Sequence, residues 1–149
     1  MLDWLKKNTA GARENLNQQV ARYKNRAFME AVASGCALVA NADGVVTPDE
    51  KRKMIGYMSM SEEMKVFQTE EVIAAFNNAN SKFDFDMEIG RIEALKTIAK
   101  LKGKDAEAQT MVRVCCVIGA ADGNFDVHER KAARDIAGAV GLDPALFDL

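Results

Sequence analysis

At 149 residues, 48% apolar and 28% charged, the chain has the size and make-up of one globular domain, able to fold without a disulfide or a metal. Its formal net charge of −2 argues against bulk nucleic-acid binding, and no run approaches the ~18 apolar residues that span a bilayer. Cys36, Cys115 and Cys116 form no CxxC pair and sit in apolar runs, as buried thiols of a reducing compartment do. The opening Met1-Leu2-Asp3-Trp4-Leu5-Lys6-Lys7 lacks a signal-peptide core, so the expected location is cytoplasmic.

The predicted elements are helices throughout. Leu5, Ala12, Leu16, Val20 and Tyr23 stripe one or two N-terminal helices, with Gly11 a candidate break. Residues Ala31 to Ala40 are apolar almost all round, which predicts a helix at the centre of a bundle, and Ala33, Ser34, Gly35 and Ala37 are small enough for close helix approach. Thr47-Pro48-Asp49-Glu50 starts the next helix with a cap residue, a proline and a glutamate at the third position. Thr69 is expected to cap a helix carrying Val72, Ile73 and Phe76. Phe83 to Glu88 is expected to be an extended connector whose aromatics anchor one face. Ile89, Ile92, Leu95 and Ile98 stripe another helix, which ends near Gly103. Asp105 is expected to cap the next. Met111 to Ala121 forms the second all-apolar helix, and Ile136, Val140, Leu142, Leu146 and Phe147 close the chain, with Asp143-Pro144 a further cap and proline.

The two apolar helices lead into matching sequences. Cys36, Ala42, Asp43 and Gly44 coincide with Cys115, Ala121, Asp122 and Gly123 at an offset of 79, and Val46, Thr47 and Glu50 meet Phe125, Asp126 and Glu129. Each copy, around 36–55 and 115–134, reads as a buried helix, a tight turn and a capped second helix, and two copies predict hairpins related by an approximate two-fold axis. The glycines suit positive φ after a helix end, Val46 and Phe125 suit hydrophobic staples, and Glu50 and Glu129 suit capping boxes. The aspartates are harder to explain as structure. Each stands near a helix C-terminus, where the partial negative charge disfavours a carboxylate unless something such as a cation compensates.

Further segments stand in a specific order: Arg22-Tyr23-Lys24-Asn25, Ala42-Asp43-Gly44 with Glu50-Lys51, Lys53-Met54-Ile55-Gly56 and Ser61-Glu62-Glu63 with Lys65-Val66-Phe67. They continue in Phe83-Asp84-Phe85-Asp86 with Glu88-Ile89-Gly90 and end in Asp122-Gly123-Asn124-Phe125-Asp126. In these segments the sequence resembles the bacterial tellurite-resistance TerB family, over essentially its whole length. The resemblance implies an all-α fold of paired antiparallel hairpins and a role in an operon that resists tellurite, other chemical stress, phage and colicins. It also implies association with the membrane protein TerC and with TerD-like calcium-binding proteins, and a divalent-metal site of acidic residues.

On the residues themselves, Asp43, Glu50, Asp122 and Glu129 are the candidate metal ligands, with Asn124 and Asp126 as helpers; the alternative is caps and surface acids. Hard cations such as Ca²⁺, Mg²⁺ or Mn²⁺ take oxygen ligands of this kind. Asp84, Asp86 and Glu88 form a second acidic group, which either completes a cation site or belongs to the connector with Asp86 as a cap. An EF-hand is excluded, because the glycine is second in the loop rather than sixth. A Cys/His zinc site, a histidine-based nucleophile and a P-loop are excluded by the lone His128, the cysteine spacing and the lack of a lysine-bearing glycine loop.

Two further surfaces stand out. Leu2, Trp4 and Leu5 beside Lys6, Lys7 and Arg13 suit packing on the bundle, a partner or an anionic membrane surface. Arg22, Lys24, Asn25 and Arg26 are a solvated cluster or a docking patch for an acidic partner. The expected function is a non-enzymatic interaction module at a membrane-linked resistance system, peripheral at the inner face. The alternatives are a small metal-dependent enzyme using the carboxylates, and thiol capture of tellurite by the three cysteines.

Overall fold

The computed structural model describes residues 9–149 apart from residue 45, and among them there are seven α-helices and no strand. They are α1 (Thr9–Arg22), α2 (Arg26–Ala40), α3 (Pro48–Met60), α4 (Thr69–Phe85), α5 (Met87–Ile98), α6 (Asp105–Gly119) and α7 (Val127–Ala139), with short 3₁₀ turns at Glu62–Met64, Ala99–Leu101 and Pro144–Phe147. The apolar and basic residues Leu2, Trp4, Leu5, Lys6 and Lys7 lie outside the described residues, as does the side chain of Arg13.

Most helices begin where short polar side chains satisfy the first free N–H groups. Asn25 accepts from Phe28 N before α2, Thr47 from Glu50 N before α3, Asp86 from Ile89 N before α5 and Asp126 from Glu129 N before α7. Thr69 and Asp105 are first helical residues rather than caps; Gln68 and Lys104 hold the cap positions without a side-chain cap bond. Gly11 does not interrupt α1.

The repeat is exact in its element boundaries. Arg26, Ala40, Pro48 and Met60 bound α2 and α3, and the residues 79 further on, Asp105, Gly119, Val127 and Ala139, bound α6 and α7. The residues closing the two buried helices, Asn41 and Ala120, have nearly the same backbone angles, φ −94° and ψ 9° against φ −93° and ψ 7°. Helices α2 and α6 are buried along most of their length, and a single apolar core runs from Leu16 to Phe147. They approach closely at Gly35, where a Cβ would lie 2.5 Å from the Cys115 sulfur. Val46 is buried and Phe125 packs on the core; their staple positions are the charged Lys51 and Arg130, so both side chains serve the core instead.

Two expectations fail around α5. Phe83 to Phe85 continues α4 as helix, and only Asp86 is extended, with φ −164° and ψ 129°. Phe83 is buried but Phe85 is 81% exposed, so the aromatics do not anchor a shared face. Ile89 and Ile92 also face solvent, while Gly90, Ala94 and Ile98 face inward. The reason is the sharp α4–α5 corner: a Cβ at Gly90 would lie 2.6 Å from the Phe83 backbone. A helix seated that close needs small residues on its inner face, whatever its larger residues suggest.

Candidate functional site

Both Asp-Gly turns are closed by the same backbone bonds. In the first, Asn41 N donates to Ala37 O at 3.0 Å, Ala42 N to Val39 O at 3.2 Å and Gly44 N to Asn41 O at 3.2 Å. In the second, Ala120 N donates to Cys116 O at 2.9 Å, Ala121 N to Ile118 O at 3.2 Å and Gly123 N to Ala120 O at 3.0 Å. Gly44 and Gly123 have φ of 130° and 82°, values that a side chain would strain.

The two turns open onto one cavity of about 290 Å³. The first hairpin contributes Asp43 and Glu50, the second Asp122, Asn124, Asp126 and Glu129, so all six residues of the sequence-derived primary site line it. Its floor is Val39, Ala40, Ile118 and Gly119, paired across the repeat. Lys53, Met54 and Tyr57 complete the wall and were not read as site residues. The signal for them was present, since Glu50, Lys53, Met54 and Tyr57 follow the spacing of one helix face.

The carboxylates differ in state. Asp122 accepts from Asn124 N at 2.9 Å. Asp126 and Glu129 close a reciprocal capping box, with Asp126 accepting from Glu129 N at 2.8 Å and Glu129 from Asp126 N at 3.1 Å. Thr47 accepts from Glu50 N at 3.2 Å, and Glu50 is exposed. Burial first, then the nearby charges of Asp126 and Asp122, push the Glu129 carboxyl up to about 7, against the opposing pull of the Asp126 N–H.

This donor set suits a hard divalent cation in composition. Five carboxylates and an amide supply oxygen only, and a cation would favour the ionised form of Glu129 that its surroundings disfavour. As the side chains stand, no three Asp, Glu, His or Cys groups among the described residues are close enough together to hold an ion. One oxygen each of Asp122, Asp126 and Glu129 already accepts a backbone N–H, which leaves the second oxygen of each for a ligand. Rotation of side chains in the open cavity is what coordination requires.

The second acidic group does not join this cavity. Asp84 pairs with Lys51 at 2.8 Å, Asp86 caps α5, and Glu88 lies 3.8 Å from Arg91. The three sit on a helix end, a cap and a first turn, so they share no face. In the basic N-terminal cluster, Asn25 caps α2 and donates to Glu107 at 3.0 Å, and Arg26 pairs with Glu30 at 3.2 Å. The three cysteines are each 1% exposed, and the hydrogen bond with the neighbouring Cys36, then burial, hold the Cys115 thiol well above its ordinary range. Thiols so placed are poor nucleophiles, which weighs against capture of tellurite by sulfur. His128 is exposed, as expected of a first-turn residue.

An all-α bundle built on a duplicated helical hairpin, with both acidic turns on one cavity, is the class of protein the fold defines. The chain belongs to the TerB family: the model for the family described as Tellurite resistance protein TerB matches residues 29–149, which takes in both hairpins. It is similar to a protein named Tellurium resistance protein TerB from Alcaligenes sp, 46% identical over 112 residues that cover 75% of this chain and 92% of that protein. No solved structure matches. No helix among the described residues is long and apolar enough to cross a membrane.

Proposed function

We propose that this chain serves tellurite resistance as a non-enzymatic binding module whose state is set by a divalent cation held between its two Asp-Gly turns. The family supports the role, and the carrying observation is the single cavity shared by Asp43 and Glu50 of one hairpin and Asp122, Asp126 and Glu129 of the other. The cation supplies positive charge where carboxylates crowd. The protein supplies oxygen ligands from both hairpins, so binding ties the hairpins together. Partners consistent with this reading are TerC and TerD-like proteins at the inner face of the membrane, engaged by the cation-loaded form.

The test is thermal unfolding with Ca²⁺, Mg²⁺ or Mn²⁺ against chelator. A ligand that binds only the folded state stabilises it by about 2.7 kcal/mol at a hundredfold excess over its dissociation constant. Wild type should gain that amount with at least one cation, and the protein carrying both Asp43→Asn and Asp122→Asn should not. Equal melting with cation and chelator refutes the reading. A pull-down of TerC or TerD-like proteins that is indifferent to chelator refutes the cation's role in partnering.

A further inference from the structure

Away from the acidic cavity, a hollow of about 260 Å³ opens between α2, α4 and α5. Its floor exists because small residues, Ser34, Ala75, Ala79 and Ala94, stand where these helices pack. Its rim is charged, with Lys82, Lys96 and Lys100 facing Glu30 and Glu93.

The acids of this rim are already matched. Glu30 pairs with Arg26 at 3.2 Å and Glu93 lies 4.0 Å from Lys82. No ion pair is made by Lys96 or Lys100 among the described residues. Lys96 stands in the last turn of α5 and Lys100 in the 3₁₀ turn that follows it, so both lysines belong to the same side of the hollow. Uncompensated positive charge beside a polar hollow, with the Ser34 hydroxyl in its floor and the Asn78 amide in its wall, is the chemistry that receives an anion.

We propose that this hollow binds a small inorganic oxyanion, held by Lys96 and Lys100 with Ser34 and Asn78 as hydrogen-bond donors, while Lys82 stays with Glu93. The site is separate from the acidic cavity and does not depend on its cation.

The experiment follows the thermal midpoint of the full chain in inorganic phosphate and, separately, in tellurite, each against sodium chloride at matched ionic strength. Binding to the folded state raises the midpoint with concentration. Wild type should rise by several degrees over chloride in at least one of the two anions, and the anion with the larger rise is the better ligand. The K96Q/K100Q protein should lose the rise, while a control pair outside the hollow, K24Q/K104Q, and the D43N/D122N protein should keep it. These are exposed residues, and circular dichroism verifies that each variant is folded. No rise beyond chloride in either anion, or equal loss in K96Q/K100Q and K24Q/K104Q, overturns the proposal.

Discussion

The two hairpins share a backbone and differ in chemistry. Their helix boundaries and turn bonds coincide at an offset of 79, but the side-chain bonds differ: the first turn is tied through the buried Asn41 amide, which donates to Ala37 O and Asn80 Oδ1 at 2.8 Å each, whereas in the second the acids themselves are tied, through Asp122 on Asn124 N and the reciprocal pair of Asp126 and Glu129. The first carries the exposed Glu50 and places Lys53 and Tyr57 on the shared cavity, where the second has Ala132 and Ile136 at the equivalent positions. Duplication therefore fixes where the acids stand, and the residues around them decide which are held and which are free. In the cation site we propose, the second hairpin is the preorganised half and the first is the half that adjusts.

The core offers the sharpest way to break the symmetry. Gly35 in α2 is matched in α6 by the fully buried Val114. Gly35→Val should destabilise the protein by about 3 kcal/mol in denaturant unfolding, because its first added atom already falls 2.5 Å from the Cys115 sulfur. A loss under about 0.5 kcal/mol would mean that the two buried helices are interchangeable there.

The caps should differ next. Asp126→Ala removes one half of a reciprocal box and should cost about 2 kcal/mol, whereas Thr47→Ala removes a single bond and should cost about 1 kcal/mol. Equal costs would contradict the locked second turn.

A smaller effect is carried by Glu129 and shows in the pH dependence. The Glu129 carboxyl lies at about 7 when folded against 4.5 in the unfolded chain, so between those values the folded state holds the extra proton. Metal-free stability should fall as pH rises through that window and level off above it. The fall should be of order 1 kcal/mol, reduced from the full shift because the group is partly solvated. Glu129→Gln keeps an acceptor for Asp126 N and should flatten the profile. A flat wild-type profile would show that Glu129 carries no such penalty.

The parts legible in the sequence were those governed by local rules. Helical spacing, the proline and cap at Thr47-Pro48 and the doubled Asp-Gly turn led to an all-α fold with the repeat in register, and Asp43, Glu50, Asp122 and Glu129 do line one cavity. The errors came where packing overrides local pattern. Ile89 and Ile92 make a convincing apolar stripe, but the tight corner at Gly90 turns the small face of α5 inward. Asp84, Asp86 and Glu88 alternate as a strand would, but α4 runs through Phe85 and disperses them. Lys53 and Tyr57 were within reach of helix-face spacing, but a search guided by acidic ligands passes over a lysine.

The most direct measurement is calorimetric titration of the metal-free protein with the cation that stabilises it best, for wild type, Asp43→Asn and Asp122→Asn. A cavity shared by both hairpins predicts one ion per chain and at least a tenfold loss of affinity from either substitution alone. Two ions per chain, with each aspartate removing one of them, would show two independent turns and contradict the shared site.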